Sequence, residues 1–253
     1  MAPPVLWQFR FSHFNEKARW ALDWKRVAHV RRSLLPGFHI PRVLWMTGQK
    51  SVPVLVLDRE TIHDSTRIIE RLERLQPEPA LYPADETDRR RALALEDFFD
   101  EELGPHVRRA LFRELLPETD FAAAAFTIGC GAGTRSLYRV LFPAIRVAMR
   151  ADMKIDDTHV AQSQEKVLAA LDRLEAELQP SGYLVGDGFS VADLTAAALL
   201  APVVFPPEFP YAPPGPLPAP VARWRDAFAG RRALRWVAEM YRRHRGTSAE
   251  IAA

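Results

Sequence analysis

Three short stretches carry side chains able to hold and activate a small polar ligand. In FSHFNEKARWALD, Ser12 stands where an aromatic-rich run gives way to a helical pattern. A hydroxyl at that junction either caps the helix or faces a ligand. A thiol placed beside it meets a hydroxyl donor and the positive end of the helix dipole, and both favour the thiolate. A free thiol titrates at about 8.5, so only a few per cent is ionised at neutral pH. Lowering that by about two units takes roughly 2.7 kcal/mol. One charge-assisted hydrogen bond of about 1.5–3 kcal/mol and a dipole contribution of about 0.3–1 kcal/mol suffice.

The second stretch is SVPVL. Pro53 opening a strand reads either as an ordinary trans strand start or as a cis Val52–Pro53 bond, a form found at about 5–6% of X-Pro sites. A cis bond would turn the Val52 backbone out toward a ligand. In the third, HDSTRII, Asp64 or Ser65 either simply caps the next helix or joins its free amides in holding a carboxylate, with Asp64 facing an amine.

These stretches need elements to position them. Val5 to Phe11 reads as a strand and the segment from Phe14 as a helix, with Phe14, Ala18, Ala21 and Leu22 on its buried stripe. His29 to Leu35 and Val52 to Leu57 read as further strands, with a hairpin to Thr61–Ile62 and a helix from Ser65. The order β-α-β-(α)-β-β-α requires one small mixed sheet with helices packed on it. Gln76 to Asp85 is the best linker, dividing residues 1–83 from 84–253. Beyond it the patterns predict helices over 87–116, 134–149, 157–178, 190–200 and 223–243. Pro202 to Pro220 holds 9 of the 21 prolines and reads as an extended surface crossover.

Composition narrows the function classes. A chain of 253 residues, 48% hydrophobic and 26% charged, suits a packed globule of two domains. A net charge of +2 without a Lys/Arg block argues against a nucleic-acid partner. One cysteine, Cys130, excludes internal disulfides and multi-cysteine zinc sites, and it reads as a small buried residue. No apolar run approaches the about 18 residues of a membrane span, and the first residues lack a secretion signal. A cytoplasmic protein with no membrane partner and no metal is expected. Glu101, Glu102 and His106 read as a solvated charged face, Arg231 to Arg245 as a final helix with a wet basic face, and Ser190 with Asp193 as a capping box. Trp7, Phe9, Phe11 and Phe14 read as core and pocket wall.

The order Ser12-x-x-Asn15-x-Lys17-x-Arg19, then Val52-Pro53, then Asp64-Ser65-x-x-Ile68, resembles the N-terminal domain of glutathione S-transferases. YLVGDGFSVADLTAAALLAP resembles that family's helical C-terminal domain. The resemblance implies a thioredoxin-like α/β domain followed by an all-α helical bundle, a homodimer, and glutathione as co-substrate. It implies that Ser12 activates the sulfur, that Val52, ahead of a cis Pro53, pairs with the cysteinyl unit, and that Asp64 and Ser65 hold the γ-glutamyl end. For the glycine carboxylate it leaves His39, Arg42, Gln49 and Lys50 as candidates. The expected activity is addition of the thiolate to a small hydrophobic electrophile, in a cleft walled in part by residues 109–149. Cysteine is absent from positions 12 and 15, which argues against mixed-disulfide chemistry. Ser51 stands where many relatives carry Lys or Arg before Val-Pro. A non-catalytic binding or scaffold protein, and an isomerase, ether-cleaving or dehalogenating enzyme of the same fold, stay open.

Overall fold

The computed structural model describes residues 2–252. The first domain is built on four short strands, β1 (Val5–Gln8), β2 (Val30–Ser33), β3 (Val54–Leu57) and β4 (Glu60–His63), in the order β2-β1-β3-β4. β1 runs parallel to β2 and antiparallel to β3, and β3 pairs antiparallel with β4. A parallel pair needs a crossover, here made by α1 (His13–Trp24). α2 (Ile40–Thr47) packs by β4, and α3 (Ser65–Leu75) packs beside α1. The first strand stops at Gln8, short of Phe11, so an irregular 9–12 turn delivers Ser12 to the helix.

The rest is helical: α4 (Glu86–Glu102), α5 (Gly104–Leu115), α6 (Thr119–Phe126), α7 (Ala132–Asp152), α8 (Asp157–Glu177), α9 (Val191–Val204), α10 (Ala219–Asp226) and α11 (Arg232–His244). α9 is apolar all round and buried, packing on α1, α4 and α11. Its start is the expected capping box, with Asp193 accepting from the Ser190 amide at 2.9 Å.

Four expectations are corrected. The helix expected over 87–116 breaks at Gly104–Pro105. Pro105 cannot donate to the ladder, and a Cβ on Gly104 would come within 2.4 Å of the Phe14 ring. The helix expected over 223–243 is two, α10 and α11, parted by Gly230 at φ 85°. Pro202 lies inside the last turn of α9, where it removes one bond from a helix already fixed by burial. The proline-rich stretch after it is no bare surface crossover: Phe205, Phe209 and Pro213 wall a small cavity of about 70 Å³.

The basic end of α11 is not wholly wet. Arg245 is buried and bonds Glu16 and Asp23 of α1 at 2.6 and 2.9 Å. The backbone then pairs with His29 beside β2, through His29 N to Ala249 O at 3.3 Å and Ile251 N to His29 O at 2.9 Å. Residues 249–251 thus lie on the first domain.

Candidate functional site

A cleft of about 640 Å³ opens between the domains, and Ser12 lies on its border. Ser12 is the N-cap of α1, and its Oγ accepts from the Asn15 amide at 3.4 Å. An oxygen that accepts from an amide keeps its own O–H for another acceptor. Capping and facing the cleft therefore coexist in one side chain.

The turn carrying Ser12 is clamped from within. The Arg19 guanidinium donates to the carbonyls of Phe9, Arg10 and Ser12 at 3.2, 3.1 and 3.4 Å. It also bonds Gln8 Oε1 at 2.6 Å and Glu16 at 2.7 Å. Gln8 in turn donates to the Tyr211 hydroxyl at 2.7 Å, so the proline-rich stretch braces the same turn. Arg19, Lys17 and Asn15 are fully buried. Lys17 reaches Thr66, Glu96 and Asp100, tying α1 and α3 to α4. Asn15 does not border the cleft.

Of the residues expected to bind or activate glutathione, the cleft brings together Ser12, His39, Lys50 and Val52. The Val52–Pro53 peptide bond is cis; Pro53 itself is buried behind it. The His39 ring meets the Phe9 ring edge-on at 4.7 Å, and burial holds its pKa below the ordinary value. Lys50 pairs with Asp152 of α7. Gln49 bonds the backbone of Ser51 and does not border the cleft. Arg42 lies over the Trp7 ring at 4.1 Å, lining a separate hollow with it. Asp64 and Ser65 stand outside the cleft lining. Asp64, at φ 76°, caps α3 by accepting from the Thr66 and Arg67 amides at 2.9 and 3.3 Å, while Ser65 is buried. A non-glycine residue in that conformation costs about 1–3 kcal/mol.

The helical wall comes from α5, α6 and α7, through Leu111, Phe112, Phe126, Ile145 and Met149. α7 rests on the loop before α2, its Tyr138 hydroxyl donating to the Pro36 carbonyl at 3.1 Å. Cys130 corrects the expectation of a buried small residue: it is half-buried and borders the cleft, because Gly129 at φ 81° turns the chain there. His106 faces Ser163 at 3.0 Å in a part-buried contact, so it is not merely solvated, whereas Glu102 pairs with Lys166 on the expected exposed face. Among the described residues no His, Cys, Asp and Glu side chains are grouped for a metal ion.

Sequence reasoning missed three cleft residues. His13 follows Ser12 and is buried; its Nε2 donates to the Gly104 carbonyl at 3.0 Å. Burial first, then the Arg108 charge, lower its pKa to about 3, leaving a neutral ring with Nδ1 as acceptor. Its place beside Ser12 at a helix start was the available signal. Arg10 and Arg108 also border the cleft, and nothing in the sequence separates Arg108 from its neighbour Arg109.

Two family models match the chain: "Glutathione S-transferase, N-terminal domain" over residues 6–80 and "Glutathione S-transferase, C-terminal domain" over residues 157–239. A sequence search of curated proteins gives no match. Among solved structures, a glutathione S-transferase from Rhodospirillum rubrum F11 is 22% identical at a TM-score of 0.59, covering 92% of this chain and 91% of that one. The β-etherase LigF from Sphingobium sp. strain SYK-6 is 21% identical at 0.57, covering 94% and 99%. A glutathione S-transferase from Methylobacterium radiotolerans JCM 2831, in complex with glutathione sulfonate, is 17% identical at 0.56, covering 92% and 93%. Identities this low speak to the fold alone. Among the described residues no helix is long and apolar enough to cross a membrane.

Proposed function

The chain belongs to the glutathione S-transferase family, and on that premise we propose that it binds glutathione, ionises the sulfur beside Ser12 and transfers it to a small hydrophobic electrophile. One observation carries the reading: the Ser12 hydroxyl caps α1 with its oxygen and borders the interdomain cleft together with Val52. A sulfur there lies at the positive end of α1 with an O–H to accept. The chemistry is positioning and anion stabilisation. In a displacement the thiolate forms the S–C bond while the leaving group departs with its electron pair. In an addition the pair moves onto the acceptor and a solvent proton completes it.

The same reading assigns Val52 to the cysteinyl backbone and Asp64 with Ser65 to the γ-glutamyl end. His39 and Lys50 border the cleft where the glycine carboxylate would lie, which supports them over Gln49. No metal is required. The role is detoxifying conjugation in the cytoplasm by a homodimer, for which sedimentation should give twice the 28.6 kDa chain mass.

The test is the ultraviolet thiolate absorbance of added glutathione at neutral pH, with and without Ser12→Ala. The parent should bind glutathione as thiolate, and the variant should lose most of that signal, with turnover falling by about tenfold to a hundredfold. No glutathione bound at millimolar concentration would leave the non-catalytic reading in its place.

A further inference from the structure

The cleft is apolar in wall but not neutral. Its lining carries three cations, Arg10, Lys50 and Arg108, against one carboxylate, Asp152, which already pairs with Lys50. Both histidines on the border have pKa values lowered by burial and add no charge at neutral pH.

Arg108 is the sharper case. It projects from α5 beside Leu111 and Phe112, and among the described residues it makes no hydrogen bond or ion pair. Its Nε is buried without a partner. A buried guanidinium nitrogen left unpaired is costly, and proteins usually avoid it. Nearby cations are used up: Arg109 donates to the Met153 carbonyl and Ser163 hydroxyl, both at 2.8 Å, and Arg113 pairs with Asp157. Arg10 stands on the other wall, its Nε on Ser33 Oγ at 3.1 Å and no carboxylate partner among the described residues. It is admitted by Gly129, where a Cβ would come within 2.3 Å of its Nη1.

We propose that the second substrate is itself an acid: an apolar electrophile bearing a carboxylate, which Arg108 binds from the helical wall while Arg10 adds positive potential opposite. The inference rests on the transferase reading for the electrophile and deepens it to a substrate class. Glutathione's own carboxylates are accommodated in that reading on the first domain, whereas Arg108 belongs to the second. Guanidinium matches carboxylate in shape and charge, and the surrounding apolar wall strengthens the pairing.

The experiment uses 4-chloro-3,5-dinitrobenzoate and its methyl ester with glutathione. In both, the S–C bond forms as C–Cl breaks and chloride leaves with the electron pair. For the parent, Arg108→Met and Arg108→Lys, the quantity read is the ratio of kcat/KM for acid over ester. Arg108→Met should lower that ratio by about 10- to 100-fold, with Arg108→Lys falling between. Calorimetric binding of the unreactive 3,5-dinitrobenzoate, without glutathione, should weaken by a similar factor in Arg108→Met. An unchanged ratio, or a rise in the KM for glutathione alike with both electrophiles, overturns the proposal. So does a parent that turns over the ester yet fails to bind 3,5-dinitrobenzoate; in that case the transferase reading stands. If neither chloride is turned over but dinitrobenzoate binds in an Arg108-dependent way, the acid site stands and the transferase reading falls.

Discussion

Ser12 and His13 are neighbours at the start of α1 and use their polar atoms in opposite senses. Ser12 spends its oxygen on the helix and keeps its proton; His13 spends its Nε2 proton on Gly104 and keeps a bare Nδ1. The second arrangement sets an acid limit on the fold. The His13 pKa is lowered from 6.5 to about 3 by burial and then by Arg108. The folded protein therefore binds fewer protons than the unfolded chain between those values, and stability falls as pH drops below about 6.5. His13→Gln can keep the Gly104 bond without the titration. At pH 5 the parent should have lost about 2 kcal/mol relative to this variant, compared with their difference at pH 7.5. Denaturant melts at both pH values read it, and a pH-independent difference would deny the buried neutral ring. The sequence offered Ser12 through its place at a strand-to-helix junction. It did not offer Arg108, because what distinguishes that arginine from Arg109 is which partners the tertiary fold brings, and none of those is local.

At the scale of elements, the order of strands and helices in the first domain was legible because period-2 and period-3.6 patterns alternate cleanly there. What misled was the assumption of one buried stripe per helix. α1 is covered on nearly every side, packed against both α3 and α9, so its charged positions are buried with their partners. Lys17 is the hinge of this: it meets Glu96 at 2.8 Å, contacts Asp100, and donates to Thr66 at 2.9 Å. Burial opposes its charge, but the two carboxylates prevail and raise its pKa, while burial raises that of Glu96. Lys17→Met strands two carboxylates without their cation and should cost about 3–5 kcal/mol at neutral pH. Glu96 then has a folded pKa still further above its unfolded one, so the deficit should shrink as pH falls toward 5 and the carboxyl takes up a proton. Urea melts at pH 7.5 and 5.5 measure this; an equal deficit at both would mean that the loss is one of packing. Thr66 adjoins Ser65, so the same variant should weaken glutathione affinity even where the chain remains folded.

At the scale of the whole molecule, the helical half hid its turns better than its helices. Gly104–Pro105 and Gly230 interrupt patterns that look continuous, because apolar spacing persists across a break when both pieces face the same core. The return of the chain to the first domain had no signal, since Arg245 looks like any other residue of a basic helix end. Its guanidinium joins Glu16 and Asp23, and Asp23 also holds Arg31 at 2.7 Å and the Ala249 amide at 2.8 Å. Burial would raise the Asp23 pKa, but Arg245 and Arg31 overcome it and hold the carboxyl below its ordinary value. Glu16 is the same residue that orients Arg19, and Arg19 holds the turn that presents Ser12. The far end of the chain is thus two ion pairs away from the candidate nucleophile site. Arg245→Met should cost about 3–5 kcal/mol, and it should do more than lower Tm. Hydrogen exchange at His29 and Ile251 should quicken, because their backbone bonds depend on the docked segment. The thiolate absorbance of bound glutathione should fall at temperatures where the protein is still folded, because a Glu16 left with Arg19 as its sole cation draws that guanidinium away from the carbonyls it clamps. A variant that loses stability but keeps the full thiolate signal would show that the turn at Ser12 holds its shape without the chain end.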